Sequence, residues 1–281
     1  MASSSSNDVV VVVGVGGMGE AISRRIGAGR TVLLADFNLE LLARVAQTLT
    51  EDGFIVETEQ VDVSSRDSVS DLARRASALG PVRAVAHTAG LSPVQASAEA
   101  ILRVDLAGVA YSLDEFGSVI APGGAGVYVA SMAGHFASRK LTSEVDSALA
   151  TTPSEQLIHL PFLQSGAVAD SRAAYGLAKR GNQLRVQSAS AAWGARGARV
   201  NSISPGVIVT PMGRQELAGE SEILMRRLIE SSATGRLGTS ADIANAAAFL
   251  LSSDASFITG TDLLVDGGAV AASTGGSPIR G

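Results

Sequence analysis

The sequence predicts an α/β fold in which a doubly wound parallel sheet of about seven strands carries helices on both faces. Three observations predict it. Short β-branched runs alternate with longer stretches at helical period, the pattern of repeated βαβ units. The first run, Val9–Val13, is apolar without interruption, as a strand covered on both faces must be. A glycine-rich turn, Gly14-Val15-Gly16-Gly17-Met18-Gly19, joins that run directly to a helical pattern.

The elements follow in order. After Val9–Val13, helical pattern runs from Met18 to about residue 28, and Thr31–Ala35 is the second strand. Leu39–Leu49 is helical, Phe54–Val61 alternates as a third strand, Ser68–Leu79 is helical and Val82–His87 is strand. One long helix is predicted over Ser97–Ile120, followed by a strand at Gly126–Ala130. Arg172–Trp193 is helical and Arg199–Ile203 is strand. Ser240–Leu251 is helical, capped by Thr239 or Ser240, and Asp262–Val265 is the last strand. No repeat or linker divides the chain, so residues 1–281 read as one domain.

Residues 136–171 break the rhythm. About forty residues separate the Gly126–Ala130 strand from the Arg172 helix, too many for a structureless loop. Ser143–Leu149 is helix-compatible, and Thr152-Pro153-Ser154-Glu155 reads as a capping box with proline at the first helical position. The segment is expected to be a small helical insertion at the sheet's working edge or against a partner subunit.

Composition excludes several functions. The chain has no cysteine, hence no disulfide, no thiolate metal site and no cysteine nucleophile. His87, His135 and His159 lie far apart, without metal-ligand spacing, so no metal is expected. A net charge of −5 without a basic run argues against nucleic acid. No apolar stretch approaches the roughly 18 residues of a membrane span, and the serine-rich start lacks the features of a secretory signal. The expectation is a soluble cytoplasmic protein. Only two of the 22 basic residues are lysines, Lys140 and Lys179.

The glycine turn fits G-x-G-x-x-G and opens a helix, so backbone N–H groups and the helix N-terminus would cradle a pyrophosphate in a Rossmann-type arrangement, with Gly14, Gly17, Met18 and Gly19 as contacts. Asp36 closes the second strand, where a carboxylate accepts from the adenosine ribose hydroxyls and repels a 2′-phosphate, which favours NAD over NADP. Capping of the next helix is an alternative use of Asp36. Phe37 would cover one adenine face. Tyr175-Gly-Leu-Ala-Lys179 lies on a predicted helix, and the i, i+4 spacing puts both side chains on one face. An ammonium there favours phenolate and moves the tyrosine pKa toward the working range of a general base.

With these residues the chain resembles the classical short-chain dehydrogenases/reductases. The resemblance rests on Gly14–Gly19, Asp36, Val61-Asp62-Val63, Thr88-Ala89-Gly90, Ser131, Tyr175, Lys179, Asn201 to Gly206, Thr210-Pro211 and Val265-Asp266-Gly267-Gly268. It implies an NAD(H)-dependent oxidoreductase interconverting a secondary alcohol and a ketone. It further implies that Tyr175 is the acid/base, that Ser131 holds the substrate oxygen, and that Lys179 binds the nicotinamide ribose. Asp62 and Val63 would contact adenine, Ala89 and Gly90 the ribose region, and Ile208 and Thr210 the carboxamide. Asp105 stands where the family usually has an asparagine holding a proton-relay water, so it is a candidate for that relay, or else a group bonded within its own helix.

The insertion is similar to that of bacterial 3α-hydroxysteroid dehydrogenase/carbonyl reductases, which implies a steroid-like or other apolar carbonyl substrate. Leu217, Ile223, Leu224 and Leu228 are apolar candidates for a wall of that pocket. A homo-oligomer is implied, a tetramer, or a dimer if the insertion blocks one of the usual helix faces. The alternatives are an NAD sensor or scaffold with little turnover and an NAD-retaining epimerase or dehydratase. The first conflicts with the presence of Ser131, Tyr175 and Lys179, and the second with the lack of a long C-terminal substrate domain.

Overall fold

The computed structural model describes residues 7–273 apart from 165, 212 and 215–221. Among them, seven parallel strands form one sheet, β1 (Val9–Val13), β2 (Thr31–Asp36), β3 (Ile55–Gln60), β4 (Val82–His87), β5 (Ile120–Val129), β6 (Arg199–Pro205) and a last strand, Asp262–Val265. Its order is β3-β2-β1-β4-β5-β6 and then the last strand. The winding reverses between β1 and β4, and the all-valine β1 pairs with β2 on one side and β4 on the other. That reversal opens a crevice beyond the carboxyl ends of the two strands, where such folds bind ligands.

Valine serves β1 well because branching at Cβ stiffens χ1 and suits the pleat. Its side chains alternate between two cores. Val9, Val11 and Val13 pack with α3 (Arg66–Leu79), α5 (Gly108–Val119) and α9 (Ser171–Ala195), while Val10 and Val12 pack with α1 (Gly17–Ile26) and α2 (Leu39–Glu51) on the other face. All five are buried, which explains why this strand shows no polar alternation. Trp193 of α9 fills the first core, its Nε1 donating to the Leu113 carbonyl at 3.2 Å. A Cβ on Gly126 would stand 2.7 Å from that indole, so the glycine is what lets helix and strand approach.

The long helix expected over 97–120 is interrupted. α4 (Ala98–Ile101) and α5 flank a π-helical turn at Leu102–Ala107, and Ile120 already belongs to β5. Hydrophobic period does not register a single extra residue in a turn, so the sequence shows one helix. β5 begins earlier than expected because Ile120 pairs with Val82 before an irregularity around Pro122-Gly123-Gly124, after which Ala125 pairs with Ala84. A two-stranded parallel sheet, β7 (Ile208–Val209) with β8 (Gly238–Thr239), is too short to have left a pattern.

The insertion is helical, and beyond its first residues, which reach the site, it packs away from the sheet's working edge. α6 (Met132–Ser138) is followed by α7 (Ser143–Thr151), α8 (Ser154–Leu157) and a 3₁₀ turn at Pro161–Leu163. Leu149, Leu157 and Leu163 bury against Ile101, Leu106, Ala174 and Ala178, a third core on the outer face of α4, the π turn and α9. Arg185 of α9 pins it down, donating to the carbonyls of Leu149 and Thr152 and to Ser154 Oγ at 2.8–3.2 Å. The expected capping box at Thr152 does not form. Thr152 precedes proline and stays extended, Pro153 becomes the N-cap, and Glu155 pairs with Arg66.

Toward the C-terminus come α10 (Glu222–Ser231), α11 (Ser240–Leu251), the last strand β9 (Asp262–Val265) and α12 (Ala269–Ala272). Of the two caps expected for α11, Thr239 is the N-cap, and it forms a capping box with Asp242 at N3. No helix among the described residues is long and apolar enough to cross a membrane.

Candidate active site

The glycine turn closes directly after β1. Gly14 adopts φ +87°, the left-handed region, and a Cβ there would stand 2.4 Å from Ala89 N. A Cβ on Gly19 would stand 1.9 Å from the Gly14 carbonyl oxygen. Both glycines are therefore required for the turn to fold on itself. Gly16, in contrast, has nothing within 4 Å of an added Cβ, so the outer rim of the turn is open. α1 starts at Gly17 with no side-chain cap on its first N–H groups. An open rim over uncapped helix N–H groups fits a pyrophosphate. Thr88 Oγ1 donates to the Gly14 carbonyl at 2.7 Å, and the Thr88 and Ala89 amides both reach the Val13 carbonyl, so the strand β4 exit and the glycine turn are one unit.

Asp36 lies beside this turn. Its Oδ2 accepts from Val15 N at 2.8 Å and its Oδ1 from Asn38 N at 2.9 Å. The cap of α2 is Asn38, so Asp36 is not spent on helix capping. Phe37, next to it, is 68% exposed. Asp62 Oδ1 accepts from Ser64 N and Oγ at 2.9 and 2.7 Å, which orients the residue at the end of β3, and Val63 beside it is buried.

β5 leads into Ser131, whose Oγ caps α6 by accepting from Ala133 N at 3.2 Å. On α9, capped by Asp170, Lys179 is 4% exposed with its Nζ 5.3 Å from the Tyr175 ring centroid. Lys179 Nζ also lies 3.5 Å from the Val129 carbonyl. Asp105, on the π turn, is wholly buried and reaches the same ammonium directly, Oδ2 to Nζ 3.1 Å, while its Oδ1 accepts from Leu91 N at 2.7 Å. It bonds outside its own helix, and no gap for a bridging water separates it from Lys179. Burial works to lower the Lys179 pKa, but the charges of Asp105 and Tyr175 and the bond to Asp105 leave it above the usual lysine value. Burial pushes the Asp105 carboxyl up, with Lys179 and the Leu91 amide opposing.

Ser131, Tyr175, Lys179, Gly90, Ile208, Thr210 and Met18 line one cavity of about 560 Å³. Thr210 is fixed there by a bond from Gly213 N to its Oγ1 at 3.0 Å. Of the apolar wall expected from 212–232, Leu228 lines the cavity, joined by Met225, which sequence reasoning did not select. Ile223 is 68% exposed instead, Leu217 lies outside the described residues, and so does the Leu224 side chain. Of the insertion, only Phe136 and Arg139 of α6 and its cap reach the cavity; α7 and α8 do not. Arg139 and Arg172 were also missed. Arg172 had a signal, since it sits three residues before Tyr175 on the same helix.

Beneath the site His87, on β4, stacks on Tyr128 with ring centroids 5.5 Å apart. Burial, aided by the Lys179 charge, lowers its pKa from 6.5 to about 3. The unfolded chain therefore takes up a proton that the folded one refuses. Stability from this group is complete above pH 6.5 and is lost as pH falls toward 3. His87→Asn is expected to remove about 3 kcal/mol of the stability difference between pH 7 and pH 4, read from urea unfolding at both. An identical pH slope in the variant would show that His87 is not the responsible group.

Comparison with known proteins identifies the family. Residues 8–143 match the family model described as short chain dehydrogenase, and residues 140–270 match that described as Enoyl-(Acyl carrier protein) reductase. The chain is 45% identical to the short-chain dehydrogenase/reductase bsc3 of Alternaria brassicicola, over 95% of this chain and 97% of that one. It is 31% identical to meso-2,3-butanediol dehydrogenase of Serratia marcescens, over 94% and 95%. A short-chain dehydrogenase/reductase structure from Brucella melitensis, titled glucose/ribitol dehydrogenase, superposes with a TM-score of 0.73 at 26% identity, covering 94% of this chain and 96% of that one. A glycine turn folded on β4, a serine, tyrosine and lysine around one cavity, and full-length relatives of one kind place this chain in the short-chain dehydrogenase/reductase family.

Proposed function

We propose that the protein is an NAD(H)-dependent dehydrogenase/reductase that interconverts a secondary alcohol and a ketone, with Tyr175 as general acid/base. The observation that supports it most is the buried line Asp105–Lys179–Tyr175 opening on a cavity that also meets the glycine turn. Gly14 to Gly19 would hold the pyrophosphate, Asp36 the adenosine ribose, Phe37, Asp62 and Val63 the adenine, Ala89 and Gly90 would line the ribose region, Lys179 would bind the nicotinamide ribose, and Ile208 and Thr210 the carboxamide. A bound nicotinamide supplies or accepts the hydride. The chain's own residues do the rest. Ser131 Oγ, fixed by its capping bond, orients the substrate oxygen. Tyr175 takes the hydroxyl proton in oxidation and returns it in reduction, and the Lys179 ammonium stabilises the phenolate between these steps. The walls exclude water from the reacting carbon.

The support for an apolar substrate body comes from the cavity wall, at Leu91, Met132, Phe136, Met225 and Leu228, rather than from the insertion helices. For the assembly we propose a homo-oligomer, a dimer in preference to a tetramer. The third core occupies the outer face of α4, the π turn and α9, one of the helix faces a tetramer would use.

The test is NADH formation on mixing the protein with NAD⁺ and a panel of secondary alcohols, repeated with NADP⁺. NAD⁺ is expected to be preferred, because the Asp36 carboxylate would face a 2′-phosphate and no cation follows it at Phe37 or Asn38. Asp36→Ser is expected to cut that preference by about 10- to 100-fold, the worth of a hydrogen bond to a charged group. Equal use of both cofactors by the unaltered protein would overturn the assignment of NAD.

A further inference from the structure

Tyr175, Lys179 and Gln183 follow one another at intervals of four along α9, so one stripe of the helix carries all three. Acid/base chemistry uses the first two and gives the third no part. Gln183 is nevertheless buried and fully engaged. Its Nε2 donates to the Ser131 carbonyl at 3.4 Å and to Ser204 Oγ at 3.0 Å. Its Oε1 accepts from Arg180 Nη1 at 3.4 Å, which turns the donor end of the amide toward the two serines. Gly134 makes this approach possible, since a Cβ there would stand 2.8 Å from Gln183 Nε2.

The bonds continue from Ser204 back to α6. Ser204 Oγ donates to Asp262 Oδ1 at 3.0 Å, and Ser202 Oγ donates to the same oxygen at 2.5 Å. Asp262 Oδ2 lies 2.7 Å from Nε2 of His135. A carboxylate only accepts, so the imidazole keeps a proton on that nitrogen. His135 stands one turn after Ser131, on the helix that Ser131 caps. The first turn of α6 is thus held at both ends, at Ser131 by Gln183 and at His135 by Asp262, and the two anchors meet at Ser204. A helix of seven residues needs such ties, because it is too short to be stable alone. The capping bond from Ala133 N fixes Ser131 Oγ within α6 but moves with that helix. Only ties to other elements can fix it relative to Tyr175.

We propose that Gln183 and His135 are positioning residues for the reaction: the bonded series Gln183–Ser204–Asp262–His135 references α6 to α9 and so sets the place of the Ser131 hydroxyl opposite Tyr175. Neither side chain lines the cavity, so both act through Ser131 rather than on substrate. The stripe on α9 then carries the base, the ammonium beside it and the clamp of the serine in successive turns, which makes one rigid helix the common reference for all three. The inference rests on the dehydrogenase reading above and adds two residues to that site. Moving a substrate-orienting group by about 1 Å costs on the order of 100-fold in rate, so a clamp remote from the reacting carbon can matter.

The experiment measures kcat and KM by NADH formation from the best secondary alcohol of the panel. Gln183→Met keeps the length of the side chain and removes its amide. It is expected to lower kcat by about 10- to 100-fold while KM for NAD⁺ stays the same. In a Ser131→Ala background the same substitution is expected to cost nothing further, because the group it positions is already gone. His135→Leu should behave likewise from the other end of the series, and His135→Gln, which retains an Nε2 donor, should recover most of the loss. The His135 side chain is 30% exposed, so its variants serve if Gln183→Met does not fold. Amide hydrogen exchange in α6 should quicken in Gln183→Met and in His135→Leu while that of α9 is unchanged. An undiminished kcat in both variants, an equal loss with and without Ser131, or unchanged exchange in α6 overturns the proposal and leaves the dehydrogenase reading standing. No NADH from any alcohol, despite bound NAD⁺, overturns the dehydrogenase reading and the positioning role with it, while exchange in α6 still reports whether the ties hold that helix.

Discussion

Tyr175→Phe is expected to lower kcat by about 10²- to 10⁴-fold, the usual contribution of a positioned acid/base. The substitution is narrow. Phenylalanine keeps the ring that packs 5.3 Å from Lys179 and removes only the hydroxyl. Because the ring and its packing are kept, thermal unfolding should change little, and nucleotide binding, followed by fluorescence quenching, should persist. Residual turnover should lose its dependence on pH over the range in which the unaltered protein's activity rises, since the titrating group is gone. Activity within a few-fold of the unaltered protein would remove Tyr175 from the reaction and leave the cavity without an assigned base.

Asp105→Asn is expected to act on both stability and activity. Asparagine preserves the shape and can still accept from the Leu91 amide, but it leaves the Lys179 ammonium buried without its counter-charge at 3.1 Å. Removing one partner of a buried pair costs about 3–5 kcal/mol. The sign for Lys179 follows from its raised pKa, whose stabilising contribution is present below the ordinary value of 10.5 and lost as pH rises beyond it. The variant's deficit should therefore be full across neutral pH and shrink as pH rises beyond that value. While Lys179 keeps its proton, loss of the neighbouring negative charge strengthens its field at Tyr175, and the rising limb of the pH–rate profile should move toward acid. Rate profiles and urea unfolding of the same sample separate the two effects. A profile that does not move assigns Asp105 to structure alone.

Much of this was legible in the chain. β1 coincides with Val9–Val13 because five consecutive valines have no other comfortable place than a twice-covered strand. Tyr175 and Lys179 could be paired because four residues on a helix are a fixed displacement. Gly14 and Gly19 announced a turn that the Cβ distances now require. What escaped had no local signature. The π turn adds a residue without altering hydrophobic content, so Asp105 was placed near Lys179 by resemblance, and its direct contact only became visible with the turn in place. Arg139 and Arg172 look like ordinary surface arginines until the approach of α6 to α9 brings both to one rim. The insertion's helices were readable, but their destination was not, because the partner of an apolar stripe is a tertiary fact.

The π turn also governs which changes in chain length this segment can accept. Leu102–Ala107 carries one more residue than an α-helical turn of the same span. Deleting any one of the six would let the turn close into α geometry with the flanking helices still in phase, but the residues left within the turn would be redistributed around the axis. Asp105 and Leu106 would then no longer face Lys179 and the third core together, although every remaining side chain would be the same chemically. Residue type in this stretch is negotiable at several positions; residue number is not.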